Sequence, residues 1–241
     1  MKHIVQFSGG KDSTAMLLMM LEKGMPVDEI IFCDTGKEFP GMYKHIAEVE
    51  SFISKYGKTI TTLKAAKSFD YWQFEHIKTK GEHAGTMGYG WARPWRRWCT
   101  RLLKEAPTNE YLKQYPKNEI VLYIGIAADE PNRHKNMPVN HKHPLFDWGI
   151  TEKMALEYCY QKGFTWGGLY EQFKRVSCWC CPLQNIRSLK TLWQYYPDLW
   201  AELKAMETKA ATIIPFRIDG KTLADLEKRF VLEQAQIEFE F

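Results

Sequence analysis

The first 22 residues constrain this chain most. An apolar pentapeptide, His3–Phe7, runs into Ser8-Gly9-Gly10-Lys11-Asp12-Ser13-Thr14, and a Leu- and Met-rich helical stretch, Thr14–Glu22, follows at once. Glycines at a strand-to-helix junction let the backbone approach a ligand closely. The unpaired amides and partial positive charge of the helix start favour an anion at the same point. Lys11 adds a mobile positive charge, and Ser8, Ser13 and Thr14 add hydroxyl donors. A plain tight turn needs only the glycines. The spacing G-x-x-x-x-G-K is absent, so this is not a Walker A loop. The segment is expected to hold phosphates.

The rest of the chain repeats the same alternation. Gly24–Pro26 breaks the first helix, and Glu29–Asp34 reads as a second strand around Ile30, Ile31 and Phe32. Met42, Ile46, Val49, Phe52 and Ile53 recur at helical spacing within 40–56. Thr59–Leu63 is a β-branched strand, and Glu119–Ile126 is a fourth strand. Short apolar strands separated by helices imply a mostly parallel sheet covered on both faces. From about Thr151 the pattern is helical, with candidates at 151–162, 186–195, 197–209 and 223–233. The expected organisation is a nucleotide-binding α/β domain over 1–150 and a helical region over 151–241 packed on it. Residues 80–97 show little periodicity and read as a long connection able to cover a site.

Several further segments, in order along the chain, carry a family resemblance. Ser8–Thr14 resembles the signature of the PP-loop superfamily, in which this loop holds the pyrophosphate of ATP and the chemistry occurs at the α-phosphate. Cys33-Asp34-Thr35-Gly36-Lys37-Glu38-Phe39-Pro40, Arg97–Lys104, Gly125–Arg133, Pro144–Trp148 and the run from Gly167 to Pro182 each resemble a segment of the phosphoadenosine phosphosulfate (PAPS) reductase family. The resemblance implies a doubly wound α/β fold of the adenine nucleotide alpha hydrolase-like type. It implies ATP, with Mg²⁺, as cofactor. It also implies nucleotide-binding residues Ser8, Gly9, Gly10, Lys11, Asp12, Ser13, Thr14, Asp34, Gly125 and Arg133. Lys11, Asp12 and Asp34 are then the candidate catalytic residues. Asp34 sits at the carboxyl end of a strand, where ligands bind in open α/β sheets.

Two departures shape the functional expectation. Ala127 stands where the family often has Arg, and no Cys follows Cys181, whereas the reductases carry a catalytic Cys near their C-terminus. The expected activity is therefore an ATP-dependent adenylating sulfur transfer. The alternatives are a sulfonucleotide reductase served by a partner thiol and a nucleotide-binding regulatory protein without turnover.

Of the six Cys, Cys178 and Cys181 form C-x-x-C, a spacing that lets two thiolates share one metal. With Cys99 they match three of the four positions that hold a [4Fe–4S] cluster in the related adenosine phosphosulfate reductases. Cys180 or Cys159 is a possible fourth ligand, zinc is the alternative metal, and reduced buried thiols are the third reading. Cys33 reads as core.

Trp91–Trp98 interleaves three Trp with three Arg, preceded by Lys78, Lys80 and His83. That pattern suits a nucleic-acid groove, the nucleotide, or a cluster. His134, His141 and His143, with Lys135 and Lys142, read as a solvated basic loop. The formal charge of +4 permits an anionic partner without requiring one. A sulfur donor or redox partner follows from the chemistry. No secretory signal or membrane span is visible, so a cytoplasmic location is expected.

Overall fold

The computed structural model describes residues 1–135, 138–210 and 215–239; Glu240 and Phe241 of the tail lie outside the described residues. By its contacts the chain separates into two compact units. The first comprises 1–34, 38–65 and 104–176, and the second 35–37, 66–103 and 177–241. This division differs from the boundary expected near residue 150, because helices from beyond that point pack beside the sheet.

The first unit is built on five parallel strands in the order β3-β2-β1-β4-β5: β1 Lys2–Gln6, β2 Glu29–Asp34, β3 Thr61–Lys64, β4 Ile120–Ile124 and β5 His141–Lys142. Helices cover both sides of the sheet. β1 is central, with Val5 opposite Ile30 on one side and Tyr123 on the other. Strands buried on both faces carry unbroken apolar runs, and Ile120–Tyr123 of β4 is such a run. Ile4, Ile31, Ile120 and Leu122 form a cluster on which Leu63, Tyr111 and Tyr115 pack.

β5 is a correction to the sequence analysis. His141–Lys142 pairs with Leu122–Tyr123 and is not a solvated loop. His143 is buried, its Nδ1 lies 3.0 Å from Nδ1 of His134, and the His134 ring stacks on Phe146. Burial lowers the pKa of His143, and the neighbouring His134 and His141 lower it further. Two residues of strand have no hydrophobic period to announce them.

Helix α1 spans Lys11–Glu22, three residues earlier than its apolar pattern suggests, so the phosphate motif itself forms the first helical turn. Nine of its twelve residues are buried. α2, Pro40–Ile53, starts with Pro at its first position, where the missing N–H costs nothing. α3 is Ala106–Leu112. α4, Glu152–Gln161, is capped by the Thr151 side chain, which accepts from the Met154 amide, and it packs against α1.

In the second unit, α5 Ile186–Tyr195, α6 Pro197–Ala210 and α7 Leu223–Phe239 pack together around buried Leu189, Leu192, Leu203 and Phe230. The Trp193 and Trp200 rings lie 5.7 and 6.1 Å from that of Phe230. Among the described residues no helix is long and apolar enough to cross a membrane.

Candidate functional site: a phosphate-loop cavity in the parallel sheet

The carboxyl ends of β1 and β4 open on one cavity of about 160 Å³ in the first unit. It is lined by Ser8, Gly10, Lys11, Asp12, Ser13, Gly125, Glu130, Arg133, Glu152, Tyr170, Arg175 and Val176. Pockets that enclose a whole drug-sized ligand run to roughly 300–1,000 Å³. This space suits a phosphate chain, with the rest of a ligand lying outside it.

The loop is held in shape by its own hydroxyls. The Ser8 amide donates to Ser13 Oγ at 3.1 Å, and Ser13 Oγ donates to the Gly10 carbonyl at 3.0 Å. Gly9 has φ +76°, and a Cβ there would meet Met42 Sδ at 2.8 Å, so glycine is required on two counts. The Gly9 carbonyl accepts from the Trp166 indole at 2.7 Å. No side chain caps α1. That leaves first-turn amides for an anion. Gly125, just past β4, packs directly on the backbone of Asp12 and Ser13.

Charges of both signs meet in the cavity. Lys11 Nζ lies 3.1 Å from Asp12 and 2.8 Å from Glu152. Burial opposes its charge, but the two carboxylates outweigh this and hold its pKa above the ordinary value. Burial raises the Asp12 carboxyl, with Lys11 pulling the other way. Arg133 pairs with Glu130 at 2.6 Å. The Tyr170 hydroxyl accepts the Lys11 amide at 2.9 Å, and burial raises its pKa. The phenol therefore keeps a proton to donate.

Behind the loop, Thr14 Oγ1 and His45 Nε2 are 3.0 Å apart, and the His45 ring stacks on Trp166 at 4.1 Å. Burial pushes the His45 pKa down to about 3, so this imidazole is neutral. Cys159 is also buried here and donates to the Lys11 carbonyl at 3.5 Å.

Of the residues expected from sequence, Ser8, Gly10, Lys11, Asp12, Ser13, Gly125 and Arg133 line the cavity. Gly9 and Thr14 shape it from behind. Asp34 does not line it: its carboxylate accepts the Tyr43 hydroxyl at 2.8 Å and faces Lys64 Nζ at 3.5 Å. Glu130, Glu152, Tyr170 and Arg175 were not anticipated as site residues. Glu130, Tyr170 and Arg175 stood inside the quoted motifs, and Glu152 in a helix start, so their positions were visible but their convergence was not. His45 carried no signal beyond its place on an apolar helix face.

The cysteines lie elsewhere. Cys99, Cys178, Cys180 and Cys181 belong to the second unit, and Cys159 to the first. Cys178 to Cys181 form one turn, closed by the Cys181 amide on the Cys178 carbonyl at 3.1 Å. Residues 35–37 support that turn: Thr35 Oγ1 is 3.8 Å from Cys178 Sγ, and the Trp179 amide donates to the Lys37 carbonyl at 3.1 Å. Lys37 Nζ is fixed between Asp70 and Glu202, each at 3.2 Å. Cys180 is buried, and burial raises its thiol pKa well above the ordinary value. Among the described residues no three His, Cys, Asp or Glu are gathered to hold a metal. The cysteines as arranged do not form a ready cluster site.

With this geometry in view, the sequence profile of the phosphoadenosine phosphosulfate reductase domain matches residues 2–184. The chain belongs to this family. The match covers both the phosphate loop and the cysteine turn. Two uncharacterized proteins of Methanocaldococcus jannaschii are 27% and 28% identical to this PAPS reductase-family chain. The alignments span 82% and 80% of the chain but 39% and 44% of those proteins. An uncharacterized nin region protein of Escherichia phage lambda is 28% identical, over 57% of the chain and 52% of its own length. The chain thus spans about half the length, or less, of the curated relatives it matches. Two solved structures are also similar. A PAPS reductase of Candida auris in complex with phosphate has TM-score 0.46 at 17% identity, covering 73% of this chain and 81% of its own. A U34-tRNA thiolase of Methanococcus maripaludis with its [4Fe–4S] cluster has TM-score 0.43 at 16% identity, covering 89% and 73%.

Proposed function

We propose that this PAPS reductase-family chain is an ATP-using sulfur-transfer enzyme whose nucleotide phosphates bind in the Ser8–Ser13 cavity. The observation that carries this is the convergence, on one small cavity, of an uncapped helix start, three cations (Lys11, Arg133 and Arg175) and three carboxylates (Asp12, Glu130 and Glu152). Amides and cations suit the phosphates. Carboxylates suit a hard cation such as Mg²⁺, which binds through one or two carboxylates plus substrate phosphates. In the resting arrangement Lys11 is neutralised by Asp12 and Glu152. Asp12 and Glu152 would be the residues to hold such a cation, and Lys11, no longer paired with them, would then be free to face the phosphates.

The reaction then follows from where positive charge is fixed. An acceptor oxygen attacks the α-phosphorus, and the bond to pyrophosphate breaks. The charge that develops on the departing pyrophosphate is met by Lys11, the loop amides and Arg133. A sulfur nucleophile from a donor displaces the adenylate in the second step.

Titration calorimetry with Mg·ATP tests the first half. Lys11→Ala should weaken binding about 10- to 100-fold, corresponding to the ~1.5–3 kcal/mol of a charged hydrogen bond. Absence of binding by any adenylyl nucleotide would refute the assignment. Label passing from pyrophosphate into ATP in the presence of acceptor supports adenylation. Sulfite released from PAPS or adenosine phosphosulfate would show a reductase instead.

A further inference from the structure

The second unit contains a cavity that the nucleotide reading does not use. It measures about 330 Å³ and is framed by the segment from His76 to Tyr89 together with Arg96. Its walls are pinned by backbone. Ile77 and Met87 pair as an antiparallel bridge, the Lys78 amide donates to the Thr86 carbonyl at 3.0 Å, and the Gly85 amide returns to the Lys78 carbonyl at 2.8 Å. The base of this hairpin docks on the turn at Tyr71–Glu75, with the Gly88 amide on the His76 carbonyl at 2.7 Å and the Tyr89 amide on the Trp72 carbonyl at 2.9 Å. A Cβ at Gly88 would lie 2.2 Å from the Gln73 carbonyl oxygen, so the two segments are in close contact.

Positive charge is in excess in this cavity. Lys78 is only 5% exposed, and among the described residues its Nζ has one side-chain partner, the Thr86 hydroxyl at 3.1 Å. Burial lowers its pKa, and the charge of Arg96 lowers it further. Lys80 and Arg96 line the same space, and Glu82 is the one carboxylate there. Among the described residues Lys78, Lys80 and Arg96 form no ion pair. Buried or crowded cations without counter-charge are costly. An anion from outside is the partner that relieves the cost. Arg96 is already oriented, its guanidinium lying over the Tyr89 ring at 5.4 Å. A stacked guanidinium presents its N–H edge to a phosphate. The residue before it, Trp95, is 76% exposed.

The three Arg of this segment are thus not equivalent. Arg93 is buried and donates to the carbonyls of Pro215 and Phe216, so it is structural. Trp91 and Trp98 are buried as well. The cations that line the cavity are Lys78, Lys80 and Arg96, and the residue before Arg96, Trp95, carries an exposed indole.

We propose that this cavity takes the backbone phosphates of a single-stranded nucleic acid, with Lys78, Lys80 and Arg96 on the phosphates and Trp95 stacked on an adjacent unpaired base. A strand that combines phosphate contacts with base stacking matches a cationic cavity flanked by an exposed Trp better than a free anion does, because a free anion has no use for the indole. This cavity and the nucleotide cavity share no lining residue.

The test is fluorescence anisotropy of a labelled single-stranded oligonucleotide, titrated with the full chain at 50 to 200 mM salt. Arg96→Ala and Lys80→Ala should each weaken binding about tenfold at low salt and flatten the salt dependence by about 0.7 in log–log slope, the value for one contact on a single strand. Trp95→Ala should weaken binding at least fivefold with the slope unchanged, as loss of one stacked base does. These residues are exposed, so melting temperatures should match the native protein. Lys11→Ala should bind the oligonucleotide as the native chain does. The proposal is overturned if the native chain shows no oligonucleotide binding, or if Arg96→Ala and Trp95→Ala bind normally. It is also overturned if inorganic phosphate or AMP competes at the oligonucleotide's own affinity, which would make this a small-anion site. Equal affinity for a duplex would remove the stacking role of Trp95.

Discussion

Adding a single methyl group at Gly125 tests whether the sheet sets the position of the phosphate loop. An ideal Cβ there would lie 2.7 Å from the Ser13 amide nitrogen and 2.9 Å from Asp12 C and Ser13 Cα, whereas ordinary contacts lie at 3.4–4 Å. These neighbours are helix backbone, not flexible side-chain tips. Gly125→Ala must therefore push the first turn of α1 from the end of β4 by about 0.7 Å. Overpacking of this kind costs about 1–3 kcal/mol, a fall in melting temperature of roughly 2–12 °C for a chain of this size. The displaced turn carries the amides assigned to the phosphates. Losing one charge-assisted bond of ~1.5–3 kcal/mol weakens ATP binding about 10- to 100-fold. Calorimetry and a thermal melt read both effects. Gly24→Ala is the control: it has φ +64° and no atom within 4 Å of the added Cβ. It should cost about 1–2 kcal/mol for the left-handed backbone and leave ATP affinity unchanged. A Gly125→Ala protein that melts and binds ATP like the native chain would refute the argument.

Stability should depend on pH through His45. Its folded pKa of about 3 lies below the unfolded value of 6.5, so above pH 6.5 neither state binds the proton, and below it only the unfolded state does. Stability is therefore lost as pH falls from 6.5 towards 3, at up to ~1.4 kcal/mol per pH unit. Denaturant melts at pH 7.5 and 5 should show a smaller loss in His45→Gln than in the native chain, and equal losses would contradict a neutral buried imidazole. The cysteine expectation is checked on anaerobically purified protein. The described residues gather no three ligands, so iron with acid-labile sulfide that is lost in Cys99→Ser, Cys178→Ser or Cys181→Ser and kept in Cys33→Ser would show that these thiols come together to bind it. Stoichiometric zinc, or no metal, would overturn the expectation.

The sequence by itself determined the sheet and its first loop. β2 and β4 are recognisable because strands covered on both faces carry apolar runs, and β3 is recognisable by its β-branched residues. The phosphate loop is recognisable because Gly9 answers a local backbone demand, a positive φ, that few other residues meet. Family motifs placed Gly125 and Arg133 beside that loop, where they are found. Only the tertiary structure decided which distant side chains share the cavity. Glu152 reaches Lys11 because α4 packs against α1, Tyr170 reaches it from the short helix Leu169–Gln172, and neither residue type signals this in its own neighbourhood. The same holds for the basic aromatic segment. Arg93 and Arg96 are three residues apart and identical as letters, yet one is buried on the Pro215 and Phe216 carbonyls and the other stays exposed over Tyr89. Local pattern reports what a residue's own backbone and solvent exposure require. Which partner a long polar side chain finds depends on segments brought together from more than a hundred residues away, and that information exists only once the chain has packed.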